Sequence, residues 1–283
     1  MIAWLGTGLL GSGFVRALRQ RGETVHVWNR SSDKARALEA DGAIAFDDPA
    51  DAVRGVPRVH VCLSDDAAVD DVLALARPGL ASDVVLVDHT TTSPARTAER
   101  VARWTALGIA FQHAPVFMGP QNALDATGFM LASGHRGLYS RLEPELSKMT
   151  GRLVYLGPEV PRAAGMKLLG NLFLEAMIGG LTDVLTLARA LGIPPDEAAK
   201  LFDWFNPGAQ APARVARMLE GDFERASWNL SMARKDARLM MEAAQAGGRD
   251  LTVIPAVAAL MDRWLQAGHG NEDWTVIASE VVK

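Results

Sequence analysis

Short apolar runs alternate with helical stretches over the first 155 or so residues. This alternation is typical of parallel strands that are joined by crossover helices. The apolar runs predict strands at 2–5, 24–28, 58–63, 84–88, 109–113, 128–132 and 153–156. The stretches between the first three strands predict helices at 13–21, 34–41 and 49–54. We therefore expect a doubly wound parallel α/β sheet in this half of the chain.

The pattern changes after Pro161. Residues 163–191 predict one long apolar helix that ends at Gly192, and its length suggests burial on several faces. Shorter helices are predicted at 195–204, 211–220, 229–247, 254–267 and 271–282. The sequence thus predicts two domains, an α/β domain over 1–161 and an all-helical domain over 162–283. The long helix joins them, and its apolar excess indicates a homodimer.

Composition narrows the class of protein. The 283 residues are 49% hydrophobic and carry a net charge of −4, which is typical of a soluble globular protein. The basic residues form no stripe of the kind that binds a nucleic-acid backbone, so we expect no nucleic-acid partner. No uninterrupted apolar run approaches the roughly 18 residues that span a bilayer, and no leader precedes the strand at Ile2, so we expect a cytoplasmic protein without a membrane partner. Cys62 is the only cysteine and is expected in the core, and no spacing suggests a metal site.

A glycine-rich turn follows the first predicted strand and opens the first helix. It reads Gly6-Thr7-Gly8-Leu9-Leu10-Gly11. In this context Gly6 permits the turn, Gly8 lets the backbone approach a pyrophosphate, and Gly11 lets helix and strand pack closely. The phosphate charge would meet the helix N-terminus. We therefore predict a Rossmann domain that binds a dinucleotide, although the same glycines also suit a turn that only packs.

The end of the second strand indicates which nicotinamide cofactor fits. A carboxylate there favours NAD, but the chain reads Asn29-Arg30-Ser31 with Lys34 behind. A guanidinium pairs well with phosphate, so NADP(H) is the expected cofactor. Arg30 as a solvated turn residue is the alternative.

Polar residues also follow the third and fourth strands. Leu63, Ser64 and Asp65 end one strand, and Thr91 lies after the other. Ligands bind at the carboxyl ends of strands in such sheets, so these residues are predicted cofactor contacts. The hydroxyl groups near Ser93 equally suit the cap of the next helix.

Lys167 and Asn171 are the candidate catalytic residues. Reducing a carbonyl by hydride requires a proton for the developing alkoxide, and a lysine in an apolar helix has its pKa lowered toward working pH. Asn171 lies one turn later on the same face, where it can hold the substrate or the lysine. The alternative is a lysine that snorkels at a helix start.

These residues resemble the β-hydroxyacid dehydrogenase family, which includes 3-hydroxyisobutyrate dehydrogenases and glyoxylate or succinic semialdehyde reductases. The likeness spans nearly the whole chain. It rests on the glycine turn, on residues 113–119, on Lys167 with Asn171, and on Lys235-Asp236. It implies a 6-phosphogluconate dehydrogenase-like fold, Lys167 as the general acid/base and Lys235 as a cofactor contact. We therefore expect an NADP-dependent enzyme that interconverts a small aldehyde or keto acid and its hydroxy acid.

The departures from that family bear on the substrate. Where the family has Asp-Ala-Pro-Val-Ser-Gly-Gly, this chain has His-Ala-Pro-Val-Phe-Met-Gly over residues 113–119. Phe117, Met118 and Gly119 are predicted to bind substrate, yet a serine hydroxyl is lost and only backbone amides remain for an anion. Ala163 and Gly170 also replace a family glycine and asparagine. Phe117 and Met118 as core residues are the alternative.

Two further features remain open at this stage. The segment 204–210 contains Trp204 and is predicted to close over a substrate, from this subunit or from a partner. His113 is either a second proton carrier or a structural histidine. The competing functions are an imine reductase, which the Val-Trp-Asn-Arg stretch ending at Arg30 also resembles, and a non-catalytic NADP-binding module.

Overall fold

The computed structural model describes residues 1–282, and its contacts divide the chain into two compact units, Met1–Asn171 and Leu172–Lys283. The division falls inside the long helix at Asn171, whereas the sequence predicts a domain boundary at residue 161. The first turns of that helix therefore belong with the first unit, and they carry the candidate catalytic lysine.

A six-stranded parallel sheet forms the centre of the first unit. The strands are β1 (Ile2–Leu5), β2 (Val25–Trp28), β3 (Ile44–Ala45), β4 (Arg58–Val61), β5 (Val85–Asp88) and β6 (Ala110–His113). Their spatial order is β3-β2-β1-β4-β5-β6, with every neighbouring pair parallel. The order reverses beside β1, and this switch point is where doubly wound sheets bind their ligands.

A smaller sheet follows in the chain. It contains β7 (Val116–Phe117), β8 (Phe129–Ala132) and β9 (Arg152–Tyr155), in the order β7-β8-β9. The first pair is antiparallel and the second parallel. The short strand β7 fixes the backbone at Phe117, one of the predicted substrate contacts.

Helices connect the strands of the first unit. They are α1 (Leu9–Gln20), α2 (Ser32–Arg36), α3 (Pro49–Ala52), α4 (Asp66–Ala76), α5 (Pro94–Ala106), α6 (Pro120–Asp125) and α7 (Arg136–Leu146). Short 3₁₀ segments lie at Ala37–Asp41, Arg77–Gly79 and Ser147–Met149.

The core of the first unit lies on both faces of the large sheet. Ile2 and Trp4 join one buried cluster, whereas Ala3 and Leu5 join another. Successive side chains of a strand point to opposite faces, so β1 contributes to both. All four residues of β1 are buried, as expected for a central parallel strand.

A buried arginine joins two helices of this unit. The guanidinium of Arg100, in α5, donates to Asp70 at 2.7 Å and to Asp66 at 2.8 Å, both in α4. Its side chain has no exposed area. A buried guanidinium is stable only when carboxylates pair with it, so this contact fixes α4 against α5.

The second unit is helical. The long helix α8 (Arg162–Ala190) enters it, followed by α9 (Pro195–Ala199), α10 (Leu201–Trp204), α11 (Ala211–Glu220), α12 (Leu230–Ala246), α13 (Val253–Gln266) and α14 (Ser279–Val282). Two 3₁₀ segments lie at Pro207–Gln210 and Trp274–Ala278. Buried Asp183 of α8 accepts hydrogen bonds from the backbone N–H groups of Thr252, Val253 and Ile254. It therefore satisfies the free N-terminal donors of α13.

The doubly wound parallel sheet and the helical second half are confirmed. The sequence missed β3 and β7, because two-residue strands carry no periodic signal. The predicted helix at 271–282 is wrong in type, since it consists of a 3₁₀ segment and the short α14.

The sequence has no uninterrupted apolar run of bilayer length, but the average hydropathy over a window gives a further result for α8. Within the described part of the chain, one helix, Arg162–Ala190, is long and apolar enough by length and composition, with a mean hydropathy of 1.4 in its 18-residue window. That average tolerates the few charged side chains that interrupt the apolar run. Only 6% of the window is buried, so α8 leaves large apolar side chains uncovered, among them Leu169, Leu172, Phe173 and Ile178. The prediction that this helix is buried is therefore not met within one chain.

Candidate cofactor and catalytic site

The glycine turn has the geometry that its sequence predicts. Gly6 adopts φ +99, and a Cβ there would lie 2.2 Å from the carbonyl oxygen of Cys62. A Cβ on Gly11 would lie 2.1 Å from the carbonyl oxygen of Gly6. Gly8 differs, because a Cβ on it would meet nothing within 4 Å. Two glycines are thus needed for packing, while the third leaves open space above the turn.

Helix α1 begins directly after this open space. Its N-cap is Gly8, and no side chain caps the helix. The free N–H groups of the first turn are therefore available to an anion, with the positive end of the helix dipole behind them. A cleft of about 560 Å³ lies in front of them and is lined by Gly6, Gly8, Leu9, Leu10 and Gly11. These features fit a dinucleotide pyrophosphate. The buried Thr7, which does not line the cleft, keeps its hydroxyl without a hydrogen-bond partner.

The predicted NADP determinants lie in the same cleft. Asn29, Arg30, Ser31 and Lys34 all line it, and Arg30 and Lys34 are exposed. The amide of Asn29 is already engaged, because its Oδ1 accepts from the Thr7 backbone N–H at 3.0 Å and its Nδ2 donates to the Ser31 carbonyl at 3.1 Å. Asn29 thus supports the glycine turn, which leaves the two cations and Ser31 for a ligand.

The strand-end residues divide into two groups. Leu63, Ser64 and Thr91 line the cleft, as predicted. Asp65 does not line it; its Oδ1 accepts from the Ala68 backbone N–H at 2.9 Å and caps α4. That backbone hydrogen bond holds the pKa of Asp65 below its ordinary value. The structure therefore gives Asp65 a capping role, while its cofactor contact stays a prediction.

Two histidines that the sequence analysis missed lie beneath the cleft. His89 lines it, and His60 Nδ1 lies 2.9 Å from His89 Nε2. His89 Nδ1 in turn donates to the carbonyl of Ala114 at 2.8 Å, and Arg58 Nε donates to His60 Nε2 at 2.9 Å. Both imidazoles are therefore neutral, because each has one ring nitrogen that donates and one that accepts. The two Nδ1 atoms donate, and the two Nε2 atoms accept. Burial lowers the pKa of His89 to about 4 and that of His60 well below its ordinary value.

Cys62 lies in the wall of the cleft. It is only partly shielded from solvent in a single chain, and loss of hydration raises the pKa of its thiol to about 12. The thiolate is the reactive form of cysteine, and the raised pKa disfavours it. The sequence analysis expected Cys62 in the core, whereas the structure places it, partly buried, in the wall of the cleft.

Lys167 completes the cleft. Its Nζ donates to Asn171 Oδ1 at 2.9 Å, one helical turn away, and lies 4.3 Å from the centre of the Phe117 ring. The residue is half-buried, and this burial lowers the pKa of its amine. Lys167 lines the same cleft as the glycine turn. The structure thus brings the two sequence motifs into one site within the first unit.

The residues of the predicted substrate loop differ in their position relative to the cleft. Met118 lines the cleft, whereas Phe117 packs against Lys167. The backbone N–H of Gly119 donates to Asn122 Oδ1 at 2.9 Å, where α6 begins. The expectation that this amide is free for an anion is therefore wrong, because the side chain of Asn122, three positions later, already occupies it.

His113 does not line the cleft. It is 1% exposed, and its Nε2 lies 2.9 Å from the Thr90 carbonyl and 3.2 Å from Thr92 Oγ1. Desolvation lowers the pKa of its imidazole. These contacts support the structural interpretation of His113 over that of a second proton carrier.

Two predicted site residues belong to the second unit. Trp204 ends α10 and is 77% exposed. Lys235 lies in α12 and pairs with Asp236 at 2.8 Å. Their roles toward substrate and cofactor stay predictions. Across residues 1–282 no group of three or more histidine, cysteine, aspartate or glutamate side chains is arranged to hold a metal ion.

Comparisons with known proteins agree with this geometry. Residues 1–157 match the NAD binding domain of 6-phosphogluconate dehydrogenase, and residues 162–283 match the C-terminal domain of the NADPH-dependent reductive aminase-like family. The solved imine reductase from Myxococcus stipitatus, in complex with NADP+, has a TM-score of 0.91 at 21% identity and covers 98% of both chains.

Two curated relatives differ in name and length. The cytokine-like nuclear factor N-PAC of Homo sapiens is 31% identical over 98% of this chain but 50% of its own length, so the chain spans about half of it. The 3-sulfolactaldehyde reductase of Escherichia coli is 26% identical over 99% of this chain and 95% of that protein. The resemblance inferred from the motifs is confirmed. The chain therefore belongs to the NAD(P)-dependent oxidoreductase family whose cofactor domain is that of 6-phosphogluconate dehydrogenase.

Proposed function

We propose that this chain is an NADP(H)-dependent oxidoreductase that interconverts a small aldehyde or keto acid and its hydroxy acid, with Lys167 as the general acid/base. The observation that carries the proposal is the presence of Lys167 in the cleft that also contains the uncapped glycine turn. One cleft then holds a phosphate-binding helix terminus and a proton donor.

The cofactor, Lys167 and Asn171 have different roles in the proposed reaction. When bound, the cofactor supplies the hydride that reduces the carbonyl carbon. Lys167 Nζ gives a proton to the alkoxide oxygen that develops and removes it in the reverse direction. Burial lowers the pKa of the amine and so makes the ammonium a stronger acid. Asn171 holds Nζ in place through its 2.9 Å hydrogen bond.

The choice of NADP(H) rests on charge at the end of β2. Arg30 and Lys34 line the cleft, and no carboxylate lines it there. A 2′-phosphate forms ion pairs with these cations, whereas the uncharged 2′-hydroxyl cannot. The similar imine reductase from Myxococcus stipitatus is named in complex with NADP+, which supports the same choice.

Imine reduction is the second candidate. Phe117 and Met118 stand where the hydroxy acid family has serine and glycine, and they offer no side-chain donor to a carboxylate. The reductive aminase-like match over residues 162–283 favours this candidate. Carbonyl chemistry remains first because Lys167 is retained and because one relative is named a 3-sulfolactaldehyde reductase.

A non-catalytic cofactor-binding module is the third candidate. One relative, N-PAC, is named a nuclear factor and not an enzyme. The Lys167–Asn171 pair argues against this role for the present chain, because a module without catalysis has no use for a half-buried lysine in the cofactor cleft.

We also propose that the protein is a cytoplasmic homodimer, without a nucleic-acid or membrane partner. The uncovered apolar side chains of α8 between Leu168 and Ile178 support the dimer, because a soluble protein covers so large an apolar face. Light scattering that gives the mass of one chain contradicts it.

The deciding experiment follows NADPH oxidation with semialdehydes, 2-keto acids, neutral aldehydes and cyclic imines. Native protein is compared with Lys167→Ala and with the control Lys148→Ala, which removes an exposed lysine. We expect Lys167→Ala to lower kcat for carbonyls by about 10²–10⁴-fold while the Kd for NADPH changes little. Turnover of imines alone, unaffected by Lys167→Ala, assigns the protein to the second candidate. Cofactor binding without any turnover assigns it to the third.

A further inference from the structure

Phe117 and Gly170 occupy one space. A Cβ on Gly170 would lie 2.4 Å from Cζ and 2.5 Å from Cε1 of the Phe117 ring. No real Cβ approaches another carbon so closely, so any side chain at position 170 displaces the ring. The ring therefore depends on the absence of a side chain at this position of α8.

The same ring contacts the catalytic candidate. Lys167 Nζ lies 4.3 Å from the ring centre, within the range at which an ammonium is attracted to the face of an aromatic ring. Gly170 lies three positions after Lys167 and so shares its helix face. The three residues thus form one contact group, in which Gly170 makes room for Phe117 and Phe117 supports the amine.

We propose that Phe117 and Gly170 act as a single specificity-determining pair, which holds the Lys167 amine on an aromatic face and keeps a substrate carboxylate away from the place beside it. Both residues are departures from the family pattern that the sequence analysis identified separately. The structure shows that they compensate each other sterically. The carboxylate part of this proposal rests on the proposed function, whereas the contact group does not.

Only a few titratable or cationic side chains line the cleft beside Lys167. The other titratable or cationic side chains that line its cleft are Arg30, Lys34, Cys62 and His89. Among residues 1–282, the hydrogen bond to Asn171 is the polar contact that Nζ makes, and no ion pair involves it. Burial lowers the pKa of the amine, while the ring face favours the ammonium. Replacing the ring with an apolar side chain of similar burial therefore removes only the second effect.

The first test measures the titration of Lys167 in the protein without substrate, by NMR of isotopically labelled lysine side chains. The Lys167 signal is assigned by its loss in Lys167→Met. We expect Phe117→Leu to lower the Lys167 pKa by about one unit, since leucine keeps the apolar contact but has no π face. Gly170→Ala should lower it similarly, and the double variant should add little further.

The control is Gly165→Ala in the same helix, where a Cβ meets nothing within 4 Å. It should leave the Lys167 titration unchanged. A native-like titration in Gly170→Ala, or effects of the two substitutions that simply add, overturns the pairing. If Gly170→Ala does not fold, Phe117→Leu alone decides whether the ring acts on the amine.

The second test measures specificity. We expect Phe117→Ser to raise kcat/KM for an acidic aldehyde relative to a neutral aldehyde of equal length by about tenfold or more, since one hydrogen bond to a charged group accounts for such a factor. An unchanged ratio overturns the carboxylate part of the proposal. Absence of any turnover overturns the proposed function instead, while the titration still decides on the contact group.

Discussion

His60 and His89 are stacked 5.2 Å apart between ring centres and joined by a hydrogen bond of 2.9 Å in the interior of the first unit. Trp4 stacks on both rings. His60 and His89 are at most 2% exposed, and each imidazole is neutral in the folded protein.

This pair predicts a loss of stability in mild acid. The pKa of His89 is about 4 in the folded protein, against an ordinary value of 6.5. The unfolded chain takes up protons as the pH falls through about 6.5, whereas the folded chain does so only near 4. The contribution of His89 to the free energy of unfolding should therefore be constant above about pH 7 and fall as the pH drops from about 6.5 to 4.

Urea unfolding at several pH values measures this slope. The variant His60→Gln/His89→Gln should be less stable at pH 7.5 but should lose less stability on acidification than the native chain. Equal slopes in the two proteins would show that the pair does not titrate in this range.

The glycine turn predicts opposite effects for two similar substitutions. Gly11→Ala should destabilise the fold by about 1–3 kcal/mol, because its Cβ meets the Gly6 carbonyl and the backbone must shift. Gly8→Ala should change stability by less than about 1 kcal/mol, since its Cβ enters open space. It should nevertheless weaken NADPH binding at least tenfold. Thermal unfolding and cofactor titration by fluorescence measure the two properties, and tight NADPH binding by Gly8→Ala would contradict the assigned pyrophosphate position.

The positive charge of Arg30 is expected to set the preference for NADPH over NADH. Arg30→Glu should lower the ratio of kcat/KM for NADPH to that for NADH by about 10- to 100-fold, which is the factor that one lost charge-assisted contact accounts for. The same charge change at exposed Arg225, in the second unit, is the control and should leave the ratio unchanged. A preference for NADPH that survives Arg30→Glu would move the 2′-phosphate contact to other residues.

Replacing Asp183 is expected to lower the stability of the second unit. Its carboxylate accepts three backbone hydrogen bonds at the start of α13, at 2.7, 2.8 and 3.0 Å. Asp183→Ala leaves buried donors without partners and should destabilise the unit by about 1–3 kcal/mol. Asp183→Asn, which keeps one acceptor oxygen, should fall between the two. Chemical denaturation orders the three proteins, and equal midpoints would refute the capping role.

Local patterns were sufficient for much of this architecture. The glycine turn predicted its own backbone geometry, and strands such as Ile2–Leu5 follow from short apolar runs. No local pattern connects Lys167 with the turn; the family resemblance alone implied a catalytic role for this lysine, and the structure brings the two into one cleft.

The missed features are pairings between distant residues. His60 and His89 lie in separate strand regions, so neither signals the other along the chain. Asn29 and Asp65 suited cofactor contacts by position, yet the fold uses their side chains to bind backbone groups at Thr7 and Ala68. The dependence of Phe117 on Gly170 is invisible to any local pattern, since it arises only when a loop packs on a helix.

Cys62 has one more consequence. The thiolate is the form of cysteine that attacks peroxides and disulfides, and a thiol whose pKa is about 12 contains almost none of it near neutral pH. It is also the chain's one cysteine. We therefore expect thiol-directed oxidants and alkylating reagents to react only slowly with the wall of this cleft.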